Sequence, residues 1–149
     1  MIRRLERKDA ELMLEWMHDK DTNRAFRFPF EKSTLESVTE FIDNSFSETN
    51  QHFAVVNDSD EYLGTVSLKN ISKVNKCAEY AIVVRSIARG TGVAKVATEN
   101  IIDYAFHTLK LHKVYLNVLE KNERARHFYE KCGFEYQLYG KIKMKIRRQ

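Results

Sequence analysis

Arg89-Gly90-Thr91-Gly92-Val93-Ala94 follows the apolar run Ile82-Val83-Val84 and opens a long amphipathic pattern. Two glycines at this spacing let successive backbone N–H groups turn to one side, and a helix start behind them adds the positive end of its dipole. Such a concavity suits an anion, above all a pyrophosphate. The segment is not a triphosphate-binding P-loop, because neither glycine is followed by Lys and then Ser or Thr. It is not the dinucleotide fingerprint either. Gly90-Thr91-Gly92 runs on into Val93-Ala94-Lys95 and lacks the third glycine.

A second segment lies downstream. Lys113-Val114-Tyr115-Leu116-Asn117-Val118 is a β-rich run, and Asn122 to Phe134 follows it with helical spacing. Asn122 can cap that helix, Ala125, Phe128, Tyr129 and Cys132 share one face, and Gly133 ends it in a left-handed conformation. Arg89-x-x-Gly92-x-Ala94 resembles the R/Q-x-x-G-x-G/A acetyl-coenzyme A loop of the GNAT acetyltransferase superfamily. Asn122 to Phe134 resembles that superfamily's N-x-x-A-x-x-x-Y-x-K-x-G-F segment. The two motifs together span about Glu79 to Phe134, a little over a third of the chain.

The resemblance implies acetyl-coenzyme A (acetyl-CoA) as acyl donor and an amine as acceptor, joined by direct attack in a ternary complex. It places Ile82, Val83, Val84, Arg89, Gly90, Thr91, Gly92, Val93, Ala94 and Asn122 at the cofactor. In that family the fourth and fifth strands splay apart, helped by a bulge. The pantetheine arm lies in the V and pairs with the strand here formed by Ile82 to Val84. Transfer to an amine needs a neutral nucleophile, a donor for the developing oxyanion and a proton for the departing thiolate. By analogy the last falls to Tyr129, the oxyanion to a backbone N–H near Val83, and the amine's proton to Glu79 through water. Burial between apolar neighbours would strengthen Glu79 as a base. Two readings stay open beside these: Tyr129 as a core aromatic, and Glu79 as an ion-pair partner with water alone as the base.

Acceptor selection falls to the N-terminal part. Leu14 to Asp19, with Trp16, and Asn23 to Phe30 resemble the branch acting on nucleotide-linked amino sugars, and also polyamine and ribosomal-protein acetyltransferases. Arg24 and Arg27 would grip a sugar-nucleotide diphosphate, with Phe26 or Phe28 stacking on its base. The alternative is a solvated Arg loop anchored by core Phe residues. Polyamine or protein N-terminal and lysine acetylation remain as other acceptors, and a non-catalytic coenzyme A (CoA)-binding module as another class.

The elements that must position these residues fit one domain over 1–149. A strand at Ile2 to Leu5 leads to a helix capped by Asp9, with Leu12, Met13, Trp16 and Met17 on one face. Ser33 and Glu36 read as a capping box for a second helix. Asn57-Asp58-Ser59-Asp60 separates two strands as a hairpin signal, and a strand from Cys77 to Val84 enters the glycine loop. The helix after it buries Val93, Ala97, Ile101 and Ala105 and shows Lys95, Glu99 and Asp103 to water. Strands near 113–119, 134–139 and 142–147 complete the order β-α-α-β-β-β-α-β-α-β-β. That is an α/β (α+β) chain whose resemblance implies a mixed, twisted sheet of six to seven strands with helices on both faces.

Composition narrows the partners. A net charge of +4 and a pI near 9.0 suit a cofactor carrying several phosphates. No aromatic RNA-binding motif, zinc spacing or dense basic helix points to nucleic acid. The histidines lack paired metal spacing, so no metal is expected. Cys77 and Cys132 have no C-x-x-C partner, and no leader or membrane-length apolar run is present. A reduced, cytoplasmic enzyme without membrane contact is the expectation, and a homodimer is compatible with it.

Overall fold

Alternating side chains along the strands divide the apolar residues between two faces of one sheet. On a single strand, Phe53 and Val55 join one core while Ala54 and Val56 join the other. The computed structural model describes residues 1–23, 26, 28–136 and 143–148. The elements are β1 (Ile2–Arg4), α1 (Ala10–His18), α2 (Lys20–Asn23), α3 (Leu35–Asp43), β2 (Gln51–Val56), β3 (Tyr62–Ser72) and β4 (Cys77–Val84). They continue as α4 (Val93–Asp103), β5 (Lys113–Asn117), α5 (Glu123–Lys131), β6 (Glu135–Tyr136) and β7 (Lys143–Arg147). This is the expected order with one extra helical turn, α2. Of the strand expected near 134–139, two residues are seen in β6, and 137–142 lie outside the described residues.

The sheet runs β1-β2-β3-β4-β5-β7-β6. Neighbours are antiparallel except β4 and β5, which are parallel and joined across α4. Helix α4 and its π-helical continuation Tyr104–Thr108 cover one face through Ala97, Ile101 and Ala105. Helices α1 and α3 cover the other through Met13, Trp16, Met17, Val38 and Ile42.

Two expected caps fall elsewhere. Asp9 has helical backbone angles, so its carboxylate cannot fold back onto the first turn of α1. It accepts from the Glu6 N–H (2.9 Å) and from the Arg3 guanidinium (2.8 and 2.9 Å) instead, pinning β1 to the helix. The box before α3 is Thr34 with Ser37, not Ser33 with Glu36. Thr34 is the residue with extended φ and ψ, and its hydroxyl accepts from the Ser37 N–H at 3.1 Å. The hairpin between β2 and β3 forms as expected. The Asn57 side-chain oxygen accepts from the N–H groups of Ser59 and Glu61.

No helix is long and apolar enough to cross a membrane among the described residues. Cys77 and Cys132 are both free.

Candidate active site

The strands β4 and β5 pair over only three residues, from Cys77 opposite Lys113 to Glu79 opposite Tyr115. Beyond that point β4 stays on β3 as far as Val84 opposite Gly64, while β5, paired with β7 along its whole length, continues through Leu116 and Asn117 on β7 alone. The two strands therefore part, and the backbone of Ile82, Val83 and Val84 faces the gap on its free edge. Half of these groups point away from β3 and need a partner. No bulge in β4 drives the parting, because its register on β3 is unbroken from Glu79 to Val84. The irregularities sit near the two ends of β3. Gly64 holds β3 tight against the gap's edge, where a Cβ would lie 2.3 Å from the Val83 carbonyl oxygen.

At the open end of the gap the chain enters the glycine loop. Gly90 and Gly92 have φ of 77° and 85°, a region side chains avoid, and nothing lies within 4 Å of where either Cβ would point. The N–H groups of Arg89 and Thr91 are used within the loop, on Ser86 and Ala88. Those of Gly90, Gly92, Val93 and Ala94 have no backbone acceptor among the described residues, and α4 has no side-chain cap. Four donors thus converge at the start of a helix over open space, which fits a pyrophosphate. The Thr91 hydroxyl folds back onto the Ala88 carbonyl (2.6 Å) and stiffens the turn. The Arg89 guanidinium is turned away, donating to the Thr22 hydroxyl at 2.6 Å, which in turn donates to Asp19 at 2.8 Å. Arg89 therefore contributes to the loop by its backbone and ties it to α2.

Arg85 was not among the expected site residues, yet it anchors the loop. Buried to 7% exposure, it ion-pairs with Glu15 (3.0 Å) and Glu61 (3.2 Å) and donates to the Tyr62 carbonyl. A lone Arg closing an apolar strand was the available signal.

On the α4 side of the gap, Tyr129 stands edge-on to Tyr80 (ring centroids 5.8 Å, 89°) and 5.9 Å from Phe134. Tyr80 is closed off by its bond to Thr98 (2.6 Å). Tyr129 is half-buried, and its hydroxyl has no such partner among the described residues. Burial, with the Cys132 thiol as the lesser cause, pushes its pKa up to about 12. It packs as a core aromatic and still carries an available proton. Asn122 caps α5 as expected, its side-chain oxygen accepting from the Ala125 N–H at 3.2 Å.

On the opposite face, Glu79, Ala81 and Val83 form one row of β4. Glu79 does not sit between apolar neighbours as its sequence context suggests. It accepts from Asn70 (3.1 Å) and Asn117 (3.5 Å), and Lys69 lies 3.8 Å away. Polar residues of β3 and β5 converge on it across the sheet, which no reading of β4 alone could show.

Lys69 also lines a cavity of about 350 Å³ between the sheet and α1 and α3. The cavity reaches Ala81, Ile82 and Val83, so it meets the gap where β4 is free. Trp16 forms part of its wall with Phe26, Phe28 and Phe30, and the Trp16 indole N–H is satisfied by the Tyr62 hydroxyl at 2.9 Å. Arg24 and Arg27, expected at an acceptor diphosphate, lie outside the described residues. His52 lines the same space, bonded to the Ser67 hydroxyl (2.6 Å) and 4.7 Å from the Phe41 ring. Sequence reasoning missed it, although it keeps the alternation of Ala54 and Val56 on β2. Burial first and Lys69 second push its pKa down to about 4. The folded chain thus refuses a proton that the unfolded chain takes up below the ordinary histidine value of about 6.5. Stability is expected to fall as pH drops from that value toward 4, and His52→Gln should flatten this part of a Tm-versus-pH curve.

Among the described residues, no three His, Cys, Asp or Glu side chains cluster closely enough to hold a metal ion.

Residues 1–135 match the family model described as the acetyltransferase (GNAT) domain. The chain belongs to the GNAT acetyltransferases. It is 32% identical over 139 residues to the spermidine N(1)-acetyltransferase of Vibrio cholerae, covering 89% of this chain and 77% of that one. A crystal structure of the Vibrio cholerae spermidine N-acetyltransferase with CoA and spermine superposes with a TM-score of 0.86 at 25% identity. It covers 99% of this chain and 94% of the other. A dodecameric structure of that enzyme aligns at 26% identity with a TM-score of 0.79, over 99% and 92% of the two chains. This GNAT chain is an acetyl-CoA-dependent N-acetyltransferase. Its open loop donors and free β4 edge match what such a donor requires.

Proposed function

We propose that this GNAT enzyme acetylates the primary amine of a small molecule that reaches the gap through the cavity between the sheet, α1 and α3. The carrying observation is that this cavity opens onto Ala81, Ile82 and Val83, the part of β4 left unpaired by β5. At about 350 Å³ it lies at the low end of ligand-pocket sizes. That suits a small amine better than a nucleotide-linked sugar. The activity named for the Vibrio cholerae relative, on spermidine, supports the polyamine alternative over the amino-sugar reading in the same way.

Acetyl-CoA supplies an activated thioester. The N–H groups of Gly90, Gly92, Val93 and Ala94 hold its pyrophosphate, and the free edge of Ile82 to Val84 takes the pantetheine amides, with Asn122 at the cofactor's flank. The oxyanion falls to a backbone N–H near Val83 on the free edge, that of Ile82 or Val84, because the Val83 N–H itself points to Thr65 on β3. Glu79, held by Asn70 and Asn117, receives the amine's proton through water. The Tyr129 hydroxyl gives its proton to the departing sulfur and recovers it from solvent. The dodecameric relative supports self-association of this chain, of which a dimer is the simplest form. The free cysteines support a reducing cytoplasm.

A thiol-release assay with acetyl-CoA across small amines, nucleotide-linked amino sugars and peptides tests the reading. Turnover with small amines is expected. Turnover confined to nucleotide sugars or peptides overturns it.

A further inference from the structure

The lining of the acceptor cavity has a chemistry of its own. Its helix side is a cluster of rings: Trp16 and Phe30 stand 5.0 Å apart edge-on, Phe26 and Phe30 5.5 Å, Phe28 and Phe30 4.9 Å. Met13 and Met17 back this wall. Its sheet side is a short polar row, Thr65, Ser67 and His52, ending at Lys69. Among the described residues that line it there is no carboxylate, and the one formal charge is the Lys69 cation. Glu79, the nearest carboxylate to that lysine, is already shared with Asn70 and Asn117.

An acceptor must bring one nitrogen to the gap, and that nitrogen reacts as the neutral amine. The rest of the acceptor molecule is held by the cavity. A polyamine would bring further ammonium groups into an apolar space whose charge is already positive. Burying an ammonium without a paired carboxylate is strongly unfavourable. His52 shows the same field, since burial and Lys69 together keep it neutral. An uncharged apolar body meets no such penalty and gains from contact with the rings and methionines.

We propose that the acceptor is a monoamine whose one nitrogen is carried on an apolar body, preferably aromatic, and that this chain has departed from the polycation preference of its spermidine-acetylating relative. The proposal rests on the small-amine reading above.

The test is steady-state thiol release by the full chain at saturating acetyl-CoA, with 2-phenylethylamine, n-hexylamine, putrescine and spermidine as acceptors. The kcat/KM for 2-phenylethylamine is expected to exceed that for spermidine at least tenfold, with n-hexylamine between them. Spermidine equal to or better than 2-phenylethylamine overturns this proposal and leaves the small-amine reading standing. If calorimetry shows acetyl-CoA binding while none of the four amines releases thiol, the small-amine reading itself fails. A gain-of-function variant gives the reciprocal check. Phe28 lines the cavity yet is 62% exposed, so Phe28→Glu can add a carboxylate without disturbing the core. The ratio of spermidine to 2-phenylethylamine kcat/KM should rise at least tenfold in that variant. An unchanged ratio, with the variant's Tm matching the parent, also counts against the proposal.

Discussion

Gly92→Glu is expected to abolish acetyl-CoA binding by isothermal calorimetry while leaving a folded protein. Gly92 has φ of 85°, and open space lies where its Cβ would point. In the same turn the N–H groups of Gly90, Gly92, Val93 and Ala94 have no backbone acceptor among the described residues. A glutamate there places bulk and a negative charge where an anion must approach, and it strains a left-handed backbone. Because the site is exposed rather than packed, the strain is limited to roughly 1–2 kcal/mol and global folding should survive. Gly92→Ala separates the two causes: it carries the strain without the charge and should weaken affinity far less. Undiminished affinity in the glutamate variant would place the pyrophosphate elsewhere.

The parts of this site built from adjacent residues were open to sequence reasoning, and those built across the sheet were not. The loop from Val84 to Ala94 is one continuous stretch, so the glycine spacing, the preceding strand and the following helix could all be read together. The same holds for Asn122, Tyr129 and Gly133, which cap, face and end a single helix. The cavity is different. Trp16, His52, Lys69 and Val83 come from α1, β2, β3 and β4, and only the strand register brings them together. His52 looks in sequence like any strand residue, and its neutrality comes from burial and from Lys69 on the next strand. Arg89 misled for a related reason. Its backbone belongs to the loop, but its guanidinium goes to Thr22, a residue 67 positions earlier. The caps at Thr34 rather than Ser33, and Asp9 binding Arg3 rather than its own helix, are local competitions between near-equivalent polar groups. Backbone angles decide them, and spacing alone does not.

Tyr129→Phe should preserve acetyl-CoA affinity and slow turnover about 10²–10⁴-fold, the usual contribution of a placed proton donor. At 1.36 kcal/mol per tenfold, that is about 3–5 kcal/mol of transition-state stabilisation. The ring keeps its contacts with Tyr80 and Phe134 in the variant, because only the hydroxyl is removed. Stability should therefore change little, and an unaltered Tm separates a lost donor from lost packing. The pH dependence carries a second signature. A pKa of about 12 keeps the phenol protonated well past the ordinary tyrosine value of about 10, so loss of the donor should not limit activity below that range. The sign for folding is the same: stability linked to this group is present below pH about 10 and is lost as pH rises toward 12. Single-turnover rates isolate the chemical step from product release, which would otherwise mask the loss. A single-turnover rate within about twofold of the parent would leave Tyr129 as a core aromatic and move the proton to another donor.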